Sequence, residues 1–332
     1  MPTRSLPIIA ISTGDPSGIG PEISLKAALD PYVNTLCCPI LVGDPAAIAR
    51  HAEAAGLQPT FHVVAAIADA AWNGALEVLA APMPEGTPFA FAKTAAAYGR
   101  ATLASASRAI EAALAGEVDA VVAAPMNETA IAAAGIAFDG HPSFVAGQTG
   151  VDESDVFMML CFGETRIVHA TLHVGVRQAV ALITHERVGH VIRAADAALK
   201  RLGIAAPRIC VGGLNPHAGE SGLFGREEIE IIAPAIDDAK QAGIAVSGPF
   251  GCDAMFHRKG VDAFVVMLHD QGHIAAKLLA PNQSAALTIG SPILFSSVAH
   301  GSAADIAGTG VASPAAMIEA IALLAGAHAR GV

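Results

Sequence analysis

Short apolar runs alternate with longer, helix-like stretches along most of this chain. The short runs predict β-strands, and the longer stretches with spaced apolar positions predict α-helices. Strands are predicted at residues 6–12, 39–42, 60–64, 120–124, 155–161, 166–172, 208–213, 263–268, 284–289 and 293–297. Helices are predicted at residues 23–29, 45–55, 95–115, 177–202 (in two pieces), 227–242 and 315–325, and the Pro-rich residues 66–88 are predicted to be irregular. This alternation indicates an α/β fold with mostly parallel sheets flanked by helices.

The composition of the 332 residues narrows the class of protein further. With 53% hydrophobic and 15% charged residues, the chain can form one large domain or two closely packed ones. The net charge of −11 argues against a nucleic-acid partner, which needs clustered Lys and Arg. The five cysteines form no Cys-x-x-Cys pair, which is typical of reduced thiols in a cytoplasm. The first residues lack a signal-peptide pattern and no apolar run could span a membrane, so we expect a cytoplasmic protein without a membrane partner.

A glycine-rich turn follows the first predicted strand, at Gly14–Glu22. A strand, a glycine-rich turn and a helix N-terminus together can form an anion site. The turn is neither a dinucleotide-binding Gly-x-Gly-x-x-Gly pattern nor a phosphate-binding loop with its lysine. The alternative is a tight turn that carries Pro21 in the first turn of the helix.

Three histidines follow apolar, strand-like runs: His173, which the predicted strand reaches, His217 and His269. The carboxyl ends of parallel strands face the functional crevice of an α/β protein, so the three side chains can converge there. A site of three histidines with an open position suits Zn²⁺ or a similar divalent ion. The alternative is that each histidine has a separate, hydrogen-bonded structural role.

Other polar residues near these histidines are candidates for chemistry. Asp270 can orient a metal ligand, and Lys277 can polarise a carbonyl group unless it is an ordinary surface lysine. His141 lies in a Gly-His-Pro sequence, which we interpret as a turn, and can donate a hydrogen bond to an anionic substrate. Its alternative role is that of a turn histidine without function.

Several ordered motifs carry a family resemblance that covers almost the whole chain. They are Gly14–Glu22, Gly140-His141, His173, Gly212–Glu220, His269–Gly272, Lys277 and His300-Gly301. Together they resemble the 4-hydroxythreonine-4-phosphate dehydrogenase family. The loop His300–Gly308 resembles the adenosine-binding loop of the isopropylmalate dehydrogenase superfamily. The resemblance implies a two-domain isopropylmalate/isocitrate dehydrogenase-like fold and a homodimer with its active site at the subunit interface.

The resemblance also implies the parts of the site. One divalent metal per subunit is expected on His173, His217 and His269, with zinc favoured over Mg, Mn or Co. The expected catalytic residues are Lys277 and Asp270, and the expected substrate contacts are His141, Ser143, Lys277 and Phe295. The expected cofactor contacts are His300, Gly301, Ser302, Ala303, Asp305 and Ile306. Residues 1–138 with 297–332 are predicted to form the cofactor-side domain, and residues 139–296 the domain for metal, substrate and dimerisation.

Four departures from the family pattern bear on the substrate. Phosphate-ester enzymes of the family have Thr where this chain has Pro142, Asn where it has Ala286, Arg where it has Phe295 and Lys where it has Glu128. A phosphate would therefore lose charge-assisted partners worth roughly 1.5–3 kcal/mol each. An apolar, flatter substrate would gain from Phe295. The alternative is that these positions lie outside the site.

The departures resemble the branch of the family that acts on terephthalate cis-dihydrodiol. That branch shares Pro142-Ser143, the run Asn127–Ile131 and the run Leu278–Asn282. The resemblance implies oxidation of a hydroxyl β to a carboxylate, followed by loss of CO₂ to give protocatechuate. Two alternatives stay open: the phosphate-ester dehydrogenase of pyridoxal phosphate biosynthesis, and a catalytically silent regulator that binds metal or nucleotide.

The predicted oxidant is NAD. In the adenosine loop of the superfamily, an acid followed by Ile marks NAD users, and the chain has Asp305-Ile306. A carboxylate accepts hydrogen bonds from ribose hydroxyls but repels the 2′-phosphate of NADP. No Arg or Lys lies between His300 and Pro314 to offset that repulsion. The alternative is that the nucleotide is tilted differently and Asp305 serves only as a helix N-cap.

Overall fold

The computed structural model of the chain describes residues 6–280, 284–298 and 300–326. These residues form two compact units. Unit 1 comprises the described residues up to Thr149 and those from Pro292 onwards, and unit 2 comprises Gly150–Ser291. The predicted division of cofactor, metal and substrate roles between two domains stays a prediction. Residues 281 and 282 of the branch-like run, and residues 327–332 of the predicted cofactor-side domain, lie outside the described residues.

Strands and helices alternate along the chain. The strands are β1 (Ile8–Ser12), β2 (Cys38–Gly43), β3 (Phe61–Val64), β4 (Leu76–Ala80), β5 (Ala120–Ala123), β6 (Phe157–Phe162), β7 (Thr165–His169), β8 (Arg208–Gly212), β9 (Ala245–Phe250), β10 (Ala263–Val266), β11 (Ala285–Ile289) and β12 (Phe295–Val298). The helices are α1 (Gly20–Ala28), α2 (Pro31–Leu36), α3 (Pro45–Ala54), α4 (Ala96–Leu114), α5 (Glu128–Ala133), α6 (His141–Thr149), α7 (Val176–Leu182), α8 (His185–Arg201), α9 (Ala233–Gln241), α10 (Cys252–Met255), α11 (His269–Leu279) and α12 (Ala315–Leu324). A π-helical turn, Glu228–Ile232, leads into α9.

The described strands of unit 1 pair in the order β3-β4-β2-β1-β5-β12, and the pairings are parallel. Strand β1 lies in the interior of this sheet, and all of its residues are buried. Helix α4 contributes Ala109 and Ile110 to the apolar core, where they join Val121 of β5 and Phe295 of β12. Parallel pairing brings the carboxyl ends of these strands to one edge of the sheet. The loop that follows β12 begins at this edge.

The described strands of unit 2 pair in the order β11-β6-β7-β10-β8-β9. The pairs β11–β6 and β6–β7 are antiparallel, and the other three pairs are parallel. Strand β10 is buried along its whole length, and helix α8 packs on this sheet through Val188, Val191 and Ile192. The mostly parallel α/β architecture predicted from the sequence is confirmed, and most predicted elements are present with shifted ends.

Strand β4 corrects the prediction that residues 66–88 are irregular. It pairs with both β2 and β3, so it lies inside the sheet of unit 1. The sequence conceals this burial because Glu77 interrupts the apolar run, yet Glu77 is only 1% exposed. Its carboxylate accepts hydrogen bonds from the backbone N–H groups of Ala71 and Trp72, at 3.0 and 2.7 Å. A buried acid with such partners is tolerated inside a core.

Candidate active site

Four histidines of unit 2 lie together where β7 and β10 end, and we call them the histidine cluster. Its members are His169, His173, His269 and His273. The rings of His269 and His273 are stacked with centroids 3.8 Å apart, and those of His169 and His273 are 4.6 Å apart. The ring of His173 lies 5.7 Å from that of His269. The structure therefore brings together two of the three predicted metal ligands, His173 and His269.

The cluster arises from two chain segments that leave neighbouring strands. His169 is the last residue of β7 and pairs with Val266 of β10. The strand therefore ends before the predicted end at residue 172 and does not reach His173. The chain beyond His169 is held by a different contact, in which the hydroxyl of Thr171 donates to Met267 O at 2.7 Å. His173 thus lies in the connection that follows β7.

Helix α11 supplies the other half of the cluster and was not among the predicted helices. His269 and His273 are four residues apart, so they lie on the same face of the helix. The side chain of Gln271 fixes the start of the helix because its Oε1 accepts from the N–H groups of Met267 and Leu268, both at 2.9 Å. Gly272 is required by the close approach of the two segments, since a Cβ there would lie 2.3 Å from His169 Nε2.

Burial keeps two members of the cluster uncharged at neutral pH. The pKa of His169 is lowered to about 3, mainly by burial and then by the neighbouring His273. The pKa of His273 is lowered to about 4, mainly by burial and also by the charges of His269 and Lys277. A hydrogen bond of 3.1 Å joins His273 Nδ1 to His169 Nε2. Neutral imidazole is the form that binds metals.

The predicted third ligand, His217, lies apart from the cluster. It belongs to the segment Pro216–Gly222, in which residues 217–221 all have left-handed backbone angles. Its side chain is 62% exposed, and the nearest carboxylate oxygen, Oδ2 of Asp253, lies 3.8 Å from its Nδ1. In the part of the chain that the structure describes, no group of three or more His, Cys, Asp or Glu side chains is placed to hold a metal ion. The three-histidine metal site stays a prediction.

The segment that carries His217 is anchored by a buried carboxylate. Glu228 is 3% exposed, and its Oε1 accepts from the N–H groups of Leu214 and Asn215, both at 2.7 Å. The side-chain amide of Asn215 donates to Glu228 Oε2 at 3.0 Å. A Cβ at Gly219 would lie 2.7 Å from Glu228 Oε2, so the left-handed turn is wrapped closely around this carboxylate.

The two predicted catalytic residues lie on α11 beside the cluster. Asp270 Oδ1 is 2.7 Å from His269 Nδ1, a contact that leaves Nε2 of the same ring available to a metal. Asp270 is otherwise exposed, with 80% of its side-chain surface open. Lys277 is exposed and lies one helical turn beyond His273. The predicted role of Asp270 in orienting a ligand is compatible with this geometry.

The predicted substrate contacts of unit 1 lie on α6 and β12. His141 is the first residue of helix α6, so the expected turn is replaced by a helix start, and Ser143 follows in the same turn. The His141 ring lies 5.7 Å from the ring of Phe295, which is fully buried in the core of unit 1. Burial lowers the pKa of His141 to about 4, and its Nε2 is buried without a hydrogen-bond partner among the described residues.

The predicted cofactor residues form a loop after β12. His300, Gly301 and Ser302 are irregular, Ala303 has a left-handed backbone with φ of 38°, and a 3-10 turn spans Ala304–Ile306. The carboxylate of Asp305 is exposed on this turn. The turn begins after Ala303 and has no side-chain cap, so Asp305 does not serve as its N-cap. Its side chain is free to meet a ligand.

The sequence prediction missed His169, although the signal was present. The run Arg166-Ile167-Val168-His169 is itself an apolar strand that ends on a histidine. It was hidden because the apolar Ala170 and Leu172 extend the run to the next histidine. The end of β7 is set by its pairing with β10, which the sequence of β7 alone does not reveal.

Comparison with known proteins assigns the family. A family model described as pyridoxal phosphate biosynthetic protein PdxA matches residues 35–324. The chain belongs to the PdxA family. The resemblance inferred from the motifs is thereby confirmed.

Two curated relatives cover nearly the whole chain. The 1,2-dihydroxy-3,5-cyclohexadiene-1,4-dicarboxylate dehydrogenase of Comamonas sp. is 43% identical over 318 residues, which are 95% of this chain and 96% of that protein. The D-threonate 4-phosphate dehydrogenase of Cupriavidus necator is 38% identical over 322 residues, again 95% of this chain and 96% of that protein. The PdxA-family relatives are therefore dehydrogenases of a dihydrodiol or of a hydroxy-acid phosphate.

Solved structures agree with this assignment. The terephthalate 1,2-cis-dihydrodiol dehydrogenase from Burkholderia xenovorans LB400 is 43% identical, with a TM-score of 0.76 over 97% of this chain and 98% of that one. The 4-hydroxythreonine-4-phosphate dehydrogenase from Burkholderia phymatum is 35% identical, with a TM-score of 0.86 over 97% and 98%. A β-decarboxylating dehydrogenase from Thermococcus kodakarensis shares the fold alone, at 15% identity and a TM-score of 0.50 over 96% and 82%. The predicted isopropylmalate/isocitrate dehydrogenase-like fold is confirmed.

None of the described helices is both long and apolar enough to cross a bilayer.

The lowered pKa of His141 predicts an acid-sensitive contribution to stability. Its folded pKa of about 4 lies below the ordinary value of 6.5, so below pH 6.5 the unfolded chain binds a proton that the folded chain does not. The free energy of unfolding should therefore fall as the pH drops from 6.5 towards 4. The variant H141L should lose up to about 1.4 kcal/mol per pH unit of this slope. Chemical denaturation at several pH values measures it, with H257L, at an exposed position, as the control. An H141L slope equal to that of the wild type would contradict the prediction.

Proposed function

We propose that this PdxA-family protein is an NAD- and divalent-metal-dependent dehydrogenase that decarboxylates a β-hydroxy carboxylate. The proposed substrate is terephthalate cis-dihydrodiol, and the product is protocatechuate. The observation that carries the substrate choice is Phe295, which is fully buried beside His141 where phosphate-ester members of the family have Arg. An apolar residue behind His141 favours a flat carbocycle over a phosphate dianion as the ligand at this point.

The cluster residues and their neighbours can carry the proposed chemistry. When bound, a divalent metal would supply Lewis acidity and a nicotinamide dinucleotide would supply the oxidising equivalent. Asp270 holds the ring of His269 through Nδ1, so that the donor atom Nε2 is presented in one orientation. The nitrogen donors of His173, His217 and His269 suit zinc by their chemistry, and a site at a subunit interface can draw these ligands from both protomers.

Two residues outside the metal set are proposed to hold the substrate. The exposed ammonium group of Lys277 can hold a carboxylate of the substrate and polarise the keto group that forms on oxidation. The neutral imidazole of His141 can donate one hydrogen bond from its buried Nε2. The contribution of Phe295 is to keep the wall behind His141 apolar, since its own ring is enclosed in the core.

Phosphate esters form the second substrate class, because the D-threonate 4-phosphate relative covers as much of the chain as the dihydrodiol relative does. The phosphate ester of pyridoxal phosphate biosynthesis belongs to this class. A silent regulator that binds metal or nucleotide is the third possibility, and absence of NAD reduction with any of these substrates would favour it.

The substrate proposal predicts a higher kcat/KM for terephthalate cis-dihydrodiol than for 4-phosphohydroxythreonine or D-threonate 4-phosphate. It also predicts that E128K raises kcat/KM for the phosphate esters by about tenfold, since a lysine restores one charge-assisted partner. Glu117 is also exposed in unit 1, so E117K controls for the change of net charge. A clear wild-type preference for either phosphate ester would overturn the proposal.

The metal proposal predicts that H173A, H217A and H269A each lower the bound metal and abolish most turnover. Loss of one of three nitrogen ligands weakens binding strongly because two ligands remain for a four-coordinate ion. Metal content is measured by elemental analysis after dialysis, and reconstitution with Zn, Mg, Mn and Co identifies the ion. Full metal content and turnover in all three variants would place the site elsewhere.

The cofactor proposal predicts that the wild type discriminates against NADP by about a hundredfold or more, because Asp305 repels the 2′-phosphate. In D305A this discrimination should shrink, mainly through weaker NAD binding and better NADP binding. The KM values of both cofactors in both proteins measure it. Equal use of the two cofactors by the wild type would mean that Asp305 does not face the ribose.

We also propose a homodimer formed through unit 2. Several large apolar side chains are exposed on this unit, with 78% of Leu278, 73% of Val176 and 73% of Leu223 accessible. Exposed apolar side chains in such number are typical of an interaction surface. Light scattering of the purified protein gives the mass that tests this assembly, and a monomer would contradict it.

A further inference from the structure

The glycine-rich turn at Gly14–Glu22 has a different function from the anion site considered in the sequence analysis. Its N–H groups are bonded to the protein itself. Ser17 N donates to Asp15 Oδ1 at 2.9 Å, and Gly18 N donates to Asp15 O at 3.2 Å. Ile19 N donates to Ser302 O at 2.9 Å. The turn therefore faces the loop after β12 rather than a free anion.

One end of that loop is held at Ser302. The bond from Ile19 N reaches its carbonyl, and Gly18 allows the two backbones to approach. A Cβ at Gly18 would lie 2.7 Å from both the Cβ and the O atom of Ser302. The backbone of Gly18 is not left-handed, so the absent side chain is required by this contact and not by its own conformation.

The other end of the loop is held by a buried ion pair of α1. Lys26 Nζ lies 2.8 Å from Glu22 Oε1 and donates to Gly310 O at 2.9 Å and to Ala312 O at 2.7 Å. Ala312 N donates to the same carboxylate oxygen at 2.8 Å. The Glu22 side chain is 1% exposed and that of Lys26 is 21% exposed, so these charge-assisted bonds are largely shielded from water.

The contacts of Ile19, Glu22 and Lys26 thus fix residues 302–312 at both ends, and we call them the α1 clamp. The segment between the fixed ends contains Asp305 and Ile306, two of the predicted cofactor contacts. Because Gly310 and Ala312 are bonded through backbone atoms, the clamp constrains the path of the loop whatever its side chains are.

We propose that Glu22 and Lys26 are positioning residues for dinucleotide binding. By ordering residues 302–312 before the cofactor arrives, the clamp removes part of the entropy that binding would otherwise cost. This inference rests on the proposed use of NAD by the loop, and it adds residues that touch the loop rather than the cofactor. Loss of the clamp should weaken cofactor affinity and leave the metal-binding unit unchanged.

The test combines hydrogen exchange with cofactor titration in three variants. K26M removes the three donors at one end of the loop, E22Q keeps an acceptor oxygen but removes its charge, and G18A pushes Ser302 away at the other end. We expect faster amide exchange confined to residues 300–312. We expect the Kd for NADH, from fluorescence titration, to rise about tenfold in K26M and G18A and less in E22Q. Metal content and exchange in unit 2 should not change.

Matched controls separate the clamp from general effects of substitution. K240M removes a lysine whose partner is the exposed Asp237, at 2.8 Å from its Nζ. G147A adds a methyl group to a glycine of α6 whose Cβ would meet no atom within 4 Å. Both controls should bind NADH as the wild type does. If K26M does not fold, G18A tests the same inference from the other end of the loop.

The outcomes distinguish this inference from the proposed cofactor. Unchanged loop exchange and unchanged NADH affinity in K26M and G18A would overturn the role of the clamp, while the use of NAD would stand. A wild type that binds neither NADH nor NADPH would overturn the proposed cofactor and, with it, the role of the clamp in affinity. Faster loop exchange together with weaker NADH binding, at unchanged metal content, would support both.

Discussion

The pairing of β7 with β10 is the constraint on which the candidate site of unit 2 depends. Hydrogen bonds between these parallel strands set His169 opposite Val266. This register determines where the segments after β7 and after β10 leave the sheet. The connection after β7 then carries His173, and α11 begins at His269. The imidazoles therefore lie close together although the two segments are far apart in the sequence. A shift of the register by one residue would turn His169 to the other face of the sheet and disperse the cluster.

The sequence pattern predicted the class of fold and most of its elements because apolar periodicity survives in short strands and long helices. It failed at β4, where the charged Glu77 is buried with its own hydrogen-bond partners, and at the end of β7, which a neighbouring strand determines. Among site residues, His173 and His269 lie close together, as the prediction requires. The segment that carries His217 follows a left-handed path beside the buried carboxylate of Glu228, and no local pattern in the sequence reveals such a contact.

The two units differ in how their buried ionisable side chains are accommodated. In unit 2, burial keeps His169 and His273 neutral, which preserves their lone pairs. In unit 1, the ion pair of Glu22 and Lys26 is completed by backbone atoms of the loop at residues 302–312. Burial of a charge is tolerated only when its partners are fixed. The ion pair and the loop that it contacts therefore depend on each other for their positions.

The enclosure of Phe295 limits the substitutions that its position can accept during evolution. The ring is fully buried beside His141 and belongs to the core that also contains Ile110 and Val121. A single exchange to arginine would place an unpaired cation among these apolar side chains and would cost stability before any new ligand could bind. Arginine at this position therefore requires prior loosening of the surrounding core or a compensating acid.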